Sequence, residues 1–158
     1  MGTPDIEVCG MWQQLTDAAR RSVWRADDAA RQIADKSVST EHLLIGLCQE
    51  PEAKAAKVLA ACGITLDSIQ LELEKRIPQG KANPEKELKL TRAGKRAIFN
   101  SYREARKLGN DYVGTEHLLL GLLMEKKGLA ASVLKSLGLD LEKARISVAK
   151  IQTTQTES

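Results

Sequence analysis

Residues 16 to 71 reappear without a gap at 91 to 146: at a constant offset of 75, the two stretches are identical at 20 of 56 positions. An internal duplication constrains the fold more than any other feature of the chain, because two copies of one unit need matching elements and matching buried faces. The identities gather in groups. Thr16 meets Thr91 and Val38 meets Val113. Thr40, Glu41, His42, Leu43 and Leu44 meet Thr115, Glu116, His117, Leu118 and Leu119, and Gly46-Leu47 meets Gly121-Leu122. Ala55, Ala56, Val58, Leu59 and Gly63 meet Ala130, Ala131, Val133, Leu134 and Gly138.

Within each copy apolar residues recur at steps of three and four and never alternate over a strand length, which predicts four helices. The first helix carries a stripe of Ala19, Val23, Ala26, Ala30 and Ile33, continued in the second copy by Ile98, Ala105 and Leu108. Thr16 and Thr91 precede these stripes as N-caps, and Thr40 and Thr115 are read as caps of the second helices. Glu41 and Glu116 stand in the first turn, where the helix dipole favours an acid. The third helices stop at Gly63 and Gly138, since glycine suits the left-handed position past a helix end. The fourth run from about Leu66 to Ile77 and through Leu141, Ala144, Val148 and Ile151. The expected fold is all-α: two tandem four-helix repeats related by pseudo-twofold symmetry. We divide the chain into a disordered arm (1–12), repeat 1 (13–77), a linker rich in Pro, Gly and charge (78–90), repeat 2 (91–151) and a disordered tail (152–158).

About 42% of the 158 residues are apolar and only 3% aromatic, so the core must come from Ala, Leu, Ile and Val. The net charge of +3, from 24 basic and 21 acidic residues spread along the chain, is too small and mixed for a nucleic-acid footprint. Cys9, Cys48 and Cys62 form no CxxC pair, and an odd count leaves a thiol unpaired in any disulfide scheme. Cys48 and Cys62 lie on apolar faces and read as small buried hydrophobes. The longest apolar stretch, near Leu118 to Met124, is far too short to span a bilayer, and no basic-then-apolar leader opens the chain. A cytoplasmic protein without membrane contact is expected.

The string Val113-Gly114-Thr115-Glu116-His117-Leu118-Leu119-Leu120-Gly121-Leu122-Leu123, preceded by Glu104-Ala105-Arg106-Lys107-Leu108-Gly109, resembles the N-terminal repeat of Clp ATPases, nearest to the ClpC type. The likeness covers nearly everything from Thr16 to Ile151. It implies a substrate-receiving domain that binds Clp ATPase or Clp protease subunits, adaptors, substrates or phosphoarginine-tagged proteins. No GxxxxGK[ST] phosphate loop is present, so the chain carries no basis for ATP hydrolysis and reads as either a stand-alone accessory protein or the front domain of an ATPase.

By motif position the resemblance also implies two phosphoarginine sites, Thr16 with Glu41 and Thr91 with Glu116. A carboxylate suits a guanidinium, while a hydroxyl and helix-start amides suit a phosphate. The same residues serve equally as plain helix caps, and both readings stay open here. Ala34 and Ser39 replace glycines that the second copy keeps as Gly109 and Gly114, so tighter binding is expected at Thr91 and Glu116. The loops Gln49 to Glu52 and Glu125 to Gly128 depart from the family's usual Glu-Gly-rich stretch, where adaptor recognition would change. His42 and His117 lack a second ligand at helical spacing and read as capped, partly buried side chains rather than metal ligands. Trp24 and Phe99 are placed in the core or at a subunit contact, and Trp12 as a docking residue for the arm or a partner. No metal, cofactor or enzymatic activity is expected, since nucleophile, metal set and cofactor loop are all missing from the sequence. The competing reading is an independent sensor of a small ligand or modified residue with no protease partner.

Overall fold

A computed structural model describes residues 11–32, 37–76 and 89–156. After a short 3-10 turn at Met11–Gln14, repeat 1 contains α1 (Asp17–Gln32), β1 (Ser37–Val38), α2 (Thr40–Cys48), α3 (Lys54–Ala61) and α4 (Leu66–Arg76). Repeat 2 follows the same order with β2 (Lys89–Leu90), α5 (Arg92–Lys107), α6 (Thr115–Met124), α7 (Leu129–Ser136) and α8 (Leu141–Thr156). The all-α expectation holds. Cys9, Ile33, Ala34, Ile77, residues 1–10, most of the linker and the side chain of Trp12 lie outside the described residues.

Local chemistry starts and stops these helices as expected. Thr16 Oγ1 accepts from Ala19 N at 3.1 Å and Thr91 Oγ1 from Gly94 N at 3.0 Å, each quieting an orphan amide of the first turn. Gly63 and Gly138 adopt φ of 74° and 96°, a conformation that a Cβ would strain. Two boundaries differ from the sequence reading. Lys89 and Leu90, assigned to the linker, form β2, and α8 continues to Thr156, through residues assigned to the tail. Once a helix is nucleated on a packed face, adding polar residues costs little.

The repeats exchange their edges. Val38 in β1 pairs with Leu90 in β2 in a parallel register, and Leu15 forms the matching bridge to Val113. Thr91 N donates to Val38 O and Thr16 N to Val113 O, both at 2.9 Å. Every one of these contacts maps onto its partner under the offset of 75. So does a void of about 10 Å3 at the repeat interface, lined by Ser22 and Ala97, Val23 and Ile98, Leu43 and Leu118, and Leu47 and Leu122. The pseudo-twofold axis passes here, and both repeats feed one continuous core.

Thr40 and Thr115 correct the sequence reading. The residues that flank α2 and α6 as N-caps are Ser39 and Gly114, and the two threonines are the first helical residues. Their hydroxyls cap the other repeat instead: Thr115 Oγ1 accepts from Ala55 N at 3.1 Å and Thr40 Oγ1 from Ala130 N at 3.2 Å. The N-cap positions of α3 and α7 are Ala53 and Gly128, which have no side-chain acceptor, so the acceptor comes from across the interface. Thr40→Val and Thr115→Val keep the shape but orphan a buried amide, and each should cost about 1 to 2 kcal/mol. Urea denaturation reads this directly, and an unchanged midpoint in both variants would remove the cross-capping role.

The helix-one stripe is buried at Ala19, Val23, Ala26, Ala30, Ile98 and Ala105, but Leu108 is exposed at the C-cap of α5, one position beyond the packed turn. Trp24 and Phe99 are 44% and 57% exposed, so they are not core residues. Their positions point outward from the face that α1 and α5 turn to α2 and α6. Cys48 packs against the core and burial pushes its thiol up to about 12, which makes it inert as a nucleophile.

Candidate functional site

His42 and His117 organise the starts of α2 and α6. Each is the third helical residue and is fully buried, rather than partly as expected, at 1% and 0% exposure. The Nδ1 of each accepts from the N-cap amide, Ser39 N or Gly114 N, both at 2.9 Å. They take the role that Glu or Gln has in a capping box. His117 Nε2 lies 3.1 Å from Asn110 Oδ1; since Nδ1 is an acceptor, Nε2 carries the proton and donates. Burial lowers the His117 pKa, with Lys54 adding to the effect and Glu116 and Glu104 opposing it, which keeps the ring neutral. Glu116 Oε1 at 3.8 Å from His117 Nδ1 is therefore proximity, not an ion pair. Among the described residues no cluster of three His, Cys, Asp or Glu could hold a metal ion.

Two of the four candidate ligand-binding residues, Thr16 and Thr91, are tied to the other repeat. Thr91 Oγ1 donates to Ser39 Oγ at 2.9 Å, beside the turn that holds Glu41. Thr16 is fastened by its amide to Val113, beside the turn that holds Glu116. Across the copies, Thr91 thus joins the start of α2, and Thr16 the segment that leads into α6. The parallel pairing at Val38–Leu90 and Leu15–Val113 produces this exchange, and an interval of 25 residues along the chain contains no sign of it.

The two places differ in accessibility. Glu116 is buried at 2% exposure, with Oε1 folded back on Gly114; a Cβ there would overlap Oε1 and approach Cδ to 3.0 Å. Ser39 puts a Cβ at the equivalent position, and the Glu41 side chain keeps 12% exposure. Lys54, the first residue of α3, reaches across the interface and sets its Nζ 3.2 Å from Glu116 Oε2. That oxygen is fully buried and lacks a partner with hydrogen-bond geometry, so the contact is chiefly Coulombic. Lys54 Nζ also sits 5.8 Å from the centre of the Tyr112 ring, a cation–π distance. Burial alone would lower the lysine pKa, but Glu116 and Tyr112 together outweigh it and the net shift is upward. Tyr112 in turn lines a cleft of about 340 Å3 with Gln14, Tyr102, Arg106, Asn110 and Asp111. Sequence reasoning singles out neither Lys54 nor Tyr112. The signal that could have found them is mismatch between copies: Leu129 and Ser37 stand at their equivalents.

The glutamates in the loops after α2 and α6 are structural. Glu50 Oε1 accepts from Arg21 Nε at 2.8 Å and Arg25 Nε at 3.1 Å. Burial raises the Glu50 pKa, yet these two arginines more than reverse it, so the net shift is down. Glu125 faces Arg96 at 3.7 Å in the same way.

The model of the Clp repeat (R) N-terminal domain matches residues 14–137 and 89–157. The chain belongs to this Clp repeat family. It is 41% identical over 141 residues to the negative regulator of genetic competence ClpC/MecB of Bacillus subtilis, covering 89% of this chain and 17% of that protein. The curated relatives it matches are thus about six times as long as the matched segment. The N-terminal domain of the chaperone ClpD from Arabidopsis thaliana has the same fold, with a TM-score of 0.73 at 21% identity, over 90% of this chain and 96% of that one. A ClpV N-domain in complex with a VipB peptide aligns with a TM-score of 0.71 at 14% identity, over 91% and 92%. No described helix is long and apolar enough to cross a membrane.

Proposed function

We propose that the chain is a non-catalytic recognition module of the Clp protease system, capturing substrates, adaptors or phosphoarginine-tagged proteins at the paired helix starts. Its partners are Clp ATPase or Clp protease subunits, which it serves as an accessory protein or as the front domain of an ATPase in the cytoplasm. The observation that carries this reading is the hydrogen bond from Thr91 to Ser39 across the repeats, at the N-cap of the helix whose first turn holds Glu41. Two hydroxyls meet there at the start of α5, beside the helix turn that carries an acid, and a zwitterionic side chain needs both an acid for its guanidinium and donors for its phosphate. The same threonines also cap their helices, so capping and binding are compatible roles for them. Calorimetric titration with phosphoarginine tests the reading. Glu41→Gln should weaken binding at least about ten-fold, equivalent to about 1.4 kcal/mol. Unchanged affinity in that variant, or no binding to the wild type, would reject this ligand.

A further inference from the structure

We propose that Lys54 is a built-in occupant of the Glu116 site, so that the module offers one open cation-accepting carboxylate, Glu41, rather than two. The inference rests on the reading that these carboxylates receive a cationic side chain, and it concerns how this chain regulates that reception.

Lys54 holds an unusual position for its charge. It opens α3, and the positive end of a helix dipole disfavours a cation. What offsets this is supplied entirely by repeat 2: the Glu116 carboxylate at 3.2 Å and the Tyr112 ring face at 5.8 Å. A carboxylate plus an aromatic face is the composition that recognises an ammonium or guanidinium group. The pocket is deep, since Glu116 is 2% exposed, and one carboxylate oxygen has no hydrogen-bond donor. An external cation must therefore expel Lys54 before it reaches Glu116.

The twofold-related place lacks each part of this device. Leu129 stands where Lys54 does, Ser37 where Tyr112 does, and Ser39 where Gly114 does. Leu129 has no charge to offer Glu41, whose carboxylate folds back as that of Glu116 does, with Oε1 likewise 3.8 Å from the neighbouring histidine Nδ1. The order expected from the glycines is reversed by the occupant: Lys54 fills the place at Glu116, and the open site is the one at Glu41 and Thr91.

Two measurements test this. The first needs no ligand: lysine acylation of the intact protein, read by peptide mass mapping, should modify Lys54 at least ten-fold more slowly than exposed Lys57 on the same helix, and Glu116→Gln should abolish the difference. Equal rates in the wild type overturn the proposal. The second is stoichiometry with phosphoarginine. The wild type should bind one equivalent, Lys54→Leu two, and Leu129→Lys, which transplants the occupant, less than a tenth as tightly as the wild type. Two equal sites in the wild type, or one site in Lys54→Leu, overturn it. A shielded Lys54 combined with no phosphoarginine binding to any variant supports the occupant and rejects the ligand chemistry instead. Leu129→Lys keeps Glu116 paired, so the test survives if Lys54→Leu folds poorly.

Discussion

Replacing Gly46 or Gly121 by alanine should lower the melting temperature of this domain by about 6 to 12 °C, a loss of about 3 kcal/mol in each case. In an exposed helix interior the same change gains about 1 kcal/mol, because glycine loses more backbone freedom on folding than alanine. Here the sign reverses. A Cβ at Gly46 would run into the Ser22 carbonyl oxygen and stand 3.0 Å from Ala26 N; at Gly121 it would run into the Ala97 carbonyl and stand 2.8 Å from Ser101 N. These are backbone atoms, so no rotamer change relieves the overlap. α1 must lift from α2, or α5 from α6, and overpacking of that kind costs about 1 to 3 kcal/mol or more. The lifted helix carries Ala19, Val23, Ala26 and Ala30, small residues that fill the interface only at close approach. The double variant should lose about 6 kcal/mol, a large share of a total stability of about 5 to 15 kcal/mol. Calorimetry decides it, and a midpoint equal to or above that of the wild type in either single variant would show that the helices separate at no cost.

Those two glycines also show how much a repeated sequence can reveal. An identical glycine in the middle of a helical period in both copies is a propensity cost accepted twice, and that repetition alone marks a close helix crossing. The capping threonines at 16 and 91 and the terminating glycines at 63 and 138 are legible for a related reason: each acts on its own helix, within four residues. Thr40 and Thr115 escape such reasoning because their hydroxyls act 90 and 60 residues away. A gapless repeat specifies two equal units but not how they face each other, and side-by-side stacking would leave the same pattern. The candidate site shares this limit. Its four candidate residues are identifiable by type and motif, while the docking of each threonine's segment on the other repeat follows from strand exchange at Val38 and Val113, which local chemistry does not encode. Lys54 is hidden differently. A lysine at the start of a short helix reads as a solvated charge, and only the buried acid of the other repeat gives it a role.

Cutting the chain in the linker should abolish the fold of both pieces. Residues 1–77 and 89–158 each amount to fewer than about 80 residues, a size at which one apolar core seldom supplies more than about 3 to 5 kcal/mol. These pieces would lack even that. Separation exposes Leu43, Leu47, Leu118 and Leu122, which meet at the twofold axis. It strips β1 and β2 of their hydrogen bonds, releases Thr16 and Thr91 from Val113 and Val38, and orphans the amides of Ala55 and Ala130 that the opposite threonines cap. Glu116 would also lose Lys54, its nearest cation. Apart from the Lys54 contact, each loss falls on both partners of a symmetric contact, so neither piece retains a finished face. Circular dichroism of either piece alone should show weak helicity and no sigmoidal melting. Mixing them in equal amounts should restore helicity and a single transition whose midpoint rises with concentration, as it must for any associating pair. A lone piece that melts sharply near the midpoint of the intact chain would mean that the repeats are independent domains, and the exchanged caps and strands would then be surface contacts between units that already stand alone.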